Sequence, residues 1–163
     1  MAQNEFTYSR MLRASVVVFL AALFYLYEFA LQVSPSVMTQ QLMSEFGISA
    51  AGVGTISAFY FYAYTPMQLP AGMLYDKYGP RLLLTIAAII CAIGALIFSA
   101  GHNVYSTSFA RLFMGTGSAF AFIGALVLIS RWFPSRYFAI VVGFVQAMSS
   151  IGAISGQISL SAV

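Results

Sequence analysis

Charged residues are scarce in this sequence: Asp, Glu, Lys and Arg together make up 7% of its 163 residues. Soluble domains carry roughly 25% charged residues, so a chain this poor in charge could not cover its own surface in water. Hydrophobic residues account for 61% of the chain, and the mean hydropathy is +0.89. The composition therefore excludes an ordinary soluble domain and indicates a chain embedded in a lipid bilayer.

Cysteine and histidine are nearly absent, with one residue of each type, Cys91 and His102. A lone cysteine excludes a disulfide within the chain, and one Cys with one His is too few for a metal-ligand set. Acidic residues do not occur in pairs at catalytic spacing on neighbouring helical turns. We therefore expect no enzyme, no cofactor and no metal site. Cys91 is interpreted as a packing residue and His102 as a solvated loop residue.

Five long apolar segments are separated by short polar breaks, at about residues 12–36, 50–72, 82–100, 105–130 and 137–163. Each is long enough to cross the roughly 30 Å hydrocarbon core of a membrane. Because the runs are continuous rather than alternating, helices are favoured over the strands of a barrel. The first segment follows two arginines, as in a signal peptide, but it is too long and lacks a cleavage site, so we interpret it as a retained helix. The fold class predicted is an all-α polytopic membrane protein with about five transmembrane helices.

The positive charges are distributed unevenly between the polar breaks. Six of the seven basic residues precede the first segment or follow the second and fourth: Arg10, Arg13, Lys77, Arg81, Arg131 and Arg136. The positive-inside rule makes that side cytoplasmic, so the N-terminus is predicted to lie in the cytoplasm. This placement accounts for the net charge of +3, and no nucleic-acid partner is expected.

Two ionisable residues, Glu28 and Arg111, fall inside apolar segments. A charge within the bilayer is costly, and its default interpretation is functional. At about 1.5 Å per helical residue, Glu28 lies about 12 Å and Arg111 about 9 Å from the outer ends of their segments. The similar depths allow the hypothesis that the two residues pair or share an aqueous cavity. The alternative is a static structural pair.

Further polar side chains follow stripes along the apolar segments. Such stripes face a cavity or a neighbouring helix. The stripes give seven candidates for a substrate and proton pathway: Tyr25, Glu28, Gln32, Tyr64, Gln68, Arg111 and Gln146. The alternative is that the uncharged ones are interhelical hydrogen bonds, worth about 1 kcal/mol or less each.

Small residues at spacings of four indicate close helix packing. Five glycines are candidates for such contacts: Gly115, Gly117, Gly143, Gly152 and Gly156. Pro66 and Pro70 lie near the end of the second segment and are expected to bend it, which a bundle tolerates where a partner satisfies the freed backbone groups. Bent, glycine-rich helices suit a protein that rocks between two states, but they also occur in static bundles.

The break after the second segment reads Gly72-Met-Leu-Tyr-Asp76-Lys77-Tyr-Gly79-Pro-Arg81. Glycines permit a tight turn, and the charged side chains could latch neighbouring helix ends together. The spacing resembles the signature loop of the major facilitator superfamily, which lies between helices two and three. Two further segments resemble sequences of that family: Arg111-Leu-Phe-Met-Gly115-Thr-Gly117 and Arg131-Trp-Phe-Pro134. In the first, Met114 stands where the family often has Gln.

The resemblance implies a secondary active transporter that works by alternating access between two sides of the membrane. Gly72, Asp76, Lys77, Gly79 and Arg81 would then form a gating loop. Arg111 would line the central cavity, and Glu28 is the candidate protonatable partner on the ground of its depth. The family has twelve helices built from repeats of three. The chain is therefore expected to be the N-terminal part of a carrier whose C-terminal half is missing.

The direction and substrate of transport rest on weaker resemblances. Gly143, followed after eight residues by Gly152-Ala153-x-x-Gly156, resembles the antiporter motif, but Ala153 replaces the proline of that motif, which favours import. The stretch from Phe24 to Met38 resembles the phagosomal-transporter branch of intracellular bacteria. It implies proton-coupled uptake of amino acids or nucleosides across a bacterial inner membrane. Efflux by an antiporter of the same fold, and a truncated membrane protein without transport activity, remain the alternatives.

Overall fold

The computed structural model describes the backbone of residues 2–161 and the side chains of residues 11–158. The side chain of Arg10 and the last two residues of the fifth predicted segment lie outside these ranges. Within them the elements are helices: α1 (Ala2–Val37), α2 (Thr39–Phe46), α3 (Ala50–Tyr78), α4 (Pro80–Ser99), α5 (Val104–Ser118), α6 (Ala121–Trp132) and α7 (Ser135–Ser161). The all-α prediction is confirmed.

Four stretches of the described chain are long and apolar enough to cross a membrane: Met11–Val37, Pro80–Ser99, Val104–Trp132 and Ser135–Ile158. A fifth span is obtained when α2 and α3 are taken together, although the chain bends by 111° between them. These stretches overlap the five predicted apolar segments. Many apolar side chains on their outer faces are exposed, among them Leu69 (83%) and Leu96 (69%). This is expected of surfaces that meet lipid.

Helix α3 is longer than predicted, because it runs past Gly72 to Tyr78. A backbone group freed within the bilayer has no water to bond, so the helix continues until a residue forces the chain to turn. That residue is Gly79, whose φ of 78° and ψ of 160° are open to glycine and strained for other residues. Pro80 then begins α4, where the missing N–H of proline costs nothing.

Two local features escaped the sequence analysis. The polar break at residues 39–49 holds the short helix α2, which buries Leu42 and ends at Gly47 in the left-handed region, with φ of 61°. The fourth predicted segment is interrupted at Ala119 and Phe120, where the Phe120 N–H bonds to the Gly117 carbonyl in a tightened turn. Ala119 and Phe120 are as apolar as their surroundings, so hydropathy does not reveal the interruption there, and it does not show that the polar break holds a helix.

Three helix pairs make the most extensive contacts: α1 with α7, α4 with α5, and α3 with α5. An apolar core joins α1, α6 and α7 around Ala22, Ala125 and Val145. A second core joins α3 and α4 to the α5–α6 junction around Ala71, Ala87 and Phe120. The inner faces of α1, α3 and α5 meet between these cores and position the polar residues described next.

Candidate functional site

The two intramembrane charges come from different helices and are fully enclosed. Glu28 on α1 and Arg111 on α5 are both 0% exposed. They form no direct ion pair, which corrects the hypothesis of a simple pairing. Tyr60 of α3 joins them instead: its hydroxyl donates a hydrogen bond to Glu28 Oε1 over 2.5 Å, and its ring centre lies 4.6 Å from Arg111 Cζ. One tyrosine thus contacts the acid through its hydroxyl and the base through its ring face.

Arg111 is held by the backbone of α1. Its Nη1 donates to the Leu31 carbonyl over 2.7 Å, and its Nη2 donates to the Gln32 carbonyl over 3.3 Å. Pro35 lies inside α1, four residues after Leu31, and has no N–H with which to bond that carbonyl. The guanidinium therefore supplies a donor that the proline removes. The hydroxyl of Ser34 is a second donor to the same oxygen, over 2.8 Å.

Each of the two charged side chains keeps one buried polar atom without a hydrogen-bond partner. These atoms are Glu28 Oε2 and Arg111 Nε. Native interiors satisfy nearly all buried polar groups, because an unpaired one costs about 1–3 kcal/mol. Two such atoms in one cluster, one an acceptor and one a donor, mark a place where a proton or a polar ligand would be stabilised.

The other predicted pathway residues divide into two groups. On α3, the ring of Tyr64 stacks on that of Tyr60, with centroids 5.7 Å apart, and the Tyr64 side chain interacts with Gln68. On the α7 side, Tyr25 interacts with Gln146 and Ser149. Gln146 is itself exposed. Both groups adjoin the Glu28–Tyr60–Arg111 cluster, because Tyr25 and Tyr64 each interact electrostatically with Glu28.

Gln32 contributes differently from the prediction. Its backbone carbonyl, rather than its half-buried side chain, is what contacts Arg111. The part of α1 beyond Glu28 engages α5 through main-chain oxygens.

Two residues of the cluster lay outside the predicted set. Tyr60 is not among the seven predicted candidates, although it bridges the two charges. Ser118 interacts with the Tyr60 hydroxyl, and its own hydroxyl lies 3.6 Å from Cys91 Sγ. Ser118 follows Arg111 by seven residues and so shares its helix face, a signal that could have identified it.

The predicted gating loop is mostly helix. Gly72 lies inside α3 with open space beside it, so it makes no turn. The turn is confined to Gly79. Asp76, Lys77 and Arg81 are exposed at this end, and none of them forms an ion pair with a described residue. The three charged side chains could therefore pair with another segment to form a latch, but no such ion pair is present among the described residues.

Four of the five predicted packing glycines lie against a neighbouring helix. A Cβ on Gly115 would collide with the Tyr60 backbone, and one on Gly152 would collide with the Leu26 backbone. Gly117 and Gly156 are similarly close to α4 and α1. Gly143 is the exception, because nothing described lies within 4 Å of a Cβ placed there. Gly115 thus brings α5 close enough to α3 for Arg111 to reach Tyr60.

Comparison with known proteins connects this geometry to a family. A probable L-galactonate transporter of Escherichia coli (strain K12) is 31% identical over 119 residues, which cover 73% of this chain and 26% of the relative. A hexuronate transporter of the same organism is 35% identical over 116 residues, covering 69% of this chain and 26% of the relative. A nitrate/nitrite transporter of Picosynechococcus sp. is 33% identical over 95 residues, covering 58% of this chain and 18% of the relative.

The chain therefore spans about a quarter or less of the length of these relatives. The profile of the Major Facilitator Superfamily matches residues 11–163, which is nearly the whole sequence. The match includes the Gly79 turn and all three members of the Glu28–Tyr60–Arg111 cluster. This integral membrane protein belongs to the Major Facilitator Superfamily.

Proposed function

We propose that this chain is the N-terminal part of a secondary active transporter that imports a small metabolite carrying a carboxylate, driven by protons. The observation that supports it most is the buried Glu28–Tyr60–Arg111 cluster with its two unpartnered polar atoms. A guanidinium binds a carboxylate with good geometry. A buried carboxylate beside it offers a proton site that the same ligand would influence electrostatically.

The proposed substrate class is supported by the substrates of the similar transporters and by Arg111. Nitrate, galactonate and hexuronate are all anions. Amino acids, one of the classes predicted from the sequence, also carry a carboxylate, whereas nucleosides do not. Sugar acids and amino acids are therefore the first two classes to test, with nucleosides as the third. A bacterial inner membrane is the proposed location.

Alternating access would use the end of the bundle at Gly79. The turn is one residue long and carries Asp76 and Lys77 before it and Arg81 after it. Exposed charges at the mouth of a carrier can pair with the other half of the protein in one state and separate in the other. The C-terminal half of the carrier is the proposed partner for this latch.

The test is uptake of labelled galactonate, glucuronate, alanine and uridine by cells that express the complete gene, with and without an uncoupler. Accumulation of one carboxylate that the uncoupler abolishes is expected. The Glu28→Gln variant should no longer accumulate substrate against its gradient but should still carry substrate down its gradient. The Arg111→Ala variant should do neither. Glu45→Gln and Arg136→Ala are matched controls, because both residues are exposed.

Wild-type accumulation in both the Glu28→Gln and Arg111→Ala variants would refute the assigned roles. Efflux rather than uptake of the labelled compound would favour the antiporter alternative. A correctly inserted protein that moves none of the compounds, and is not stabilised in detergent by any of them, would favour a membrane protein without transport activity. Ligand stabilisation is a useful second readout because it needs no second compartment.

A further inference from the structure

Two arginines line one cavity at the end of the bundle predicted to be cytoplasmic. Arg81 lies at the start of α4 and Arg131 in the last turn of α6. The cavity has a volume of about 280 Å³. Both side chains are exposed, and neither forms an ion pair with a carboxylate in the described part of the chain. Two unneutralised guanidinium groups at one cavity favour an anionic occupant.

Aromatic residues set the depth of this cavity. Tyr78, at the end of α3, and Trp132, at the end of α6, also line it. Tyr and Trp are enriched at the level of lipid headgroups, where an apolar ring with one polar atom is best solvated. The aromatic residues therefore favour a position of the two arginines at headgroup level.

The cavity continues into an apolar groove of about 700 Å³ between α1, α4 and α6. Val17, Pro80, Arg81 and Leu128 line both spaces. The groove is lined further by Leu20, Phe24, Leu84, Ala88, Ile89 and Ala92. From Leu84 to Ala92 it follows α4 for about 12 Å, at 1.5 Å per residue. A positively charged cavity joined to an apolar groove matches a molecule with an anionic head and a hydrocarbon tail.

We propose that this is a binding site for an anionic phospholipid of the cytoplasmic leaflet. The phosphate would lie between Arg81 and Arg131, with an acyl chain in the groove between α1, α4 and α6. Basic pockets between transmembrane helices on the cytoplasmic side suit such headgroups. A soluble anion would use the arginines but leave the groove without an occupant. Glu28, Tyr60 and Arg111 do not line either space.

The test measures lipid retention by the purified chain in detergent, by native mass spectrometry. Phosphatidylglycerol is compared with phosphatidylcholine of the same acyl chains and with glycerol 3-phosphate, which is a headgroup without a tail. Phosphatidylglycerol is expected to be retained preferentially. Arg81→Gln and Arg131→Gln should each weaken its binding about five-fold, the contribution of one basic residue near an anionic lipid surface.

Arg136→Gln is the matched control for charge. Arg136 is exposed near Arg131, but its Cζ lies 4.7 Å from the Tyr137 ring centre and it lines neither space. Ala92→Trp is the test of the groove, because Ala92 is exposed and a larger side chain there can be accommodated without disturbing the core. It should weaken binding of phosphatidylglycerol and leave any binding of glycerol 3-phosphate unchanged.

Three results would overturn the proposal. Equal retention of the two phospholipids would show that charge does not select the lipid. Equal loss in Arg136→Gln and Arg131→Gln would show a diffuse surface effect. Full retention in Ala92→Trp, or binding of glycerol 3-phosphate as tight as that of phosphatidylglycerol, would show that no acyl chain occupies the groove. Because Arg131 and Arg81 belong to different helices, a folding defect in one variant leaves the other as an independent test.

Discussion

Nη1 of Arg111 donates a hydrogen bond to the carbonyl oxygen of Leu31 over 2.7 Å, at the position where Pro35 removes the helical donor. The arginine is thus a structural partner of α1 as well as a candidate ligand for substrate. The Ser34 hydroxyl also bonds this carbonyl, so the oxygen would keep one partner if the guanidinium turned toward an anion. Substrate binding could therefore recruit Arg111 without leaving a fully unpaired group in the bilayer.

A double-mutant cycle between Pro35 and Arg111 tests this relationship. Pro35→Ala restores an N–H that can bond the Leu31 carbonyl, so Arg111→Ala should cost less stability in that background, by about 1 kcal/mol for one hydrogen bond. The measurement is the unfolding midpoint in mixed detergent. Pro66→Ala is the matched control, because Pro66 lies on α3 and its freed carbonyl is not the one Arg111 bonds. An equal cost of Arg111→Ala in all three backgrounds would contradict the idea.

Tyr60→Phe separates the two functions of the bridging tyrosine. The variant keeps the ring beside Arg111 but removes the donor to Glu28 Oε1, so both carboxylate oxygens would lack a partner. We expect a loss of about 1–3 kcal/mol in the free energy of unfolding, together with impaired proton-driven accumulation. Tyr64→Phe is the control, because Tyr64 stacks on the same ring but its hydroxyl makes no hydrogen bond to Glu28. Equal effects of the two substitutions would exclude a specific role for the Tyr60 hydroxyl.

Hydropathy and charge placement predicted the helical fold, because long apolar helices are dictated by the bilayer and not by the packing partner. They could not predict Tyr60 as the bridge, since its position depends on the approach of α5 to α3 at Gly115. The end of α3 was also missed, because glycine at residue 72 suggested a turn in a setting where the membrane favours a continued helix. Local signals were thus reliable for spans, and contacts between helices required the structure.

Gly79→Ala is expected to strain the turn between α3 and α4. Its φ of 78° and ψ of 160° lie in a region that is essentially restricted to glycine, and occupying it costs other residues about 1–3 kcal/mol. Gly47→Ala is the control: its φ of 61° and ψ of 33° are those of the left-handed helical region, where the penalty is about 1–2 kcal/mol. Thermal unfolding in detergent should show the larger loss for Gly79→Ala. A smaller loss at Gly79 than at Gly47 would mean that the turn is free to relax and does not fix the proposed latch.

Gly152→Ala and Gly143→Ala compare a packed and an open glycine on the same helix. A Cβ at Gly152 would collide with the backbone of Leu26, and backbone atoms cannot rotate away as a side chain can. Helices α1 and α7 must then separate, which should cost about 1–3 kcal/mol, as other forms of overpacking do. Gly143 has open space, so its substitution should leave stability unchanged or slightly raised, since alanine favours the helix. The unfolding midpoints of the two variants, measured in parallel, decide the matter. Suppose that Gly143→Ala is more damaging than Gly152→Ala in the complete carrier but harmless in this chain. The neighbour of Gly143 would then lie in the remainder of the protein. The motif spacing that singled out Gly143 would in that case have identified a contact between the two halves.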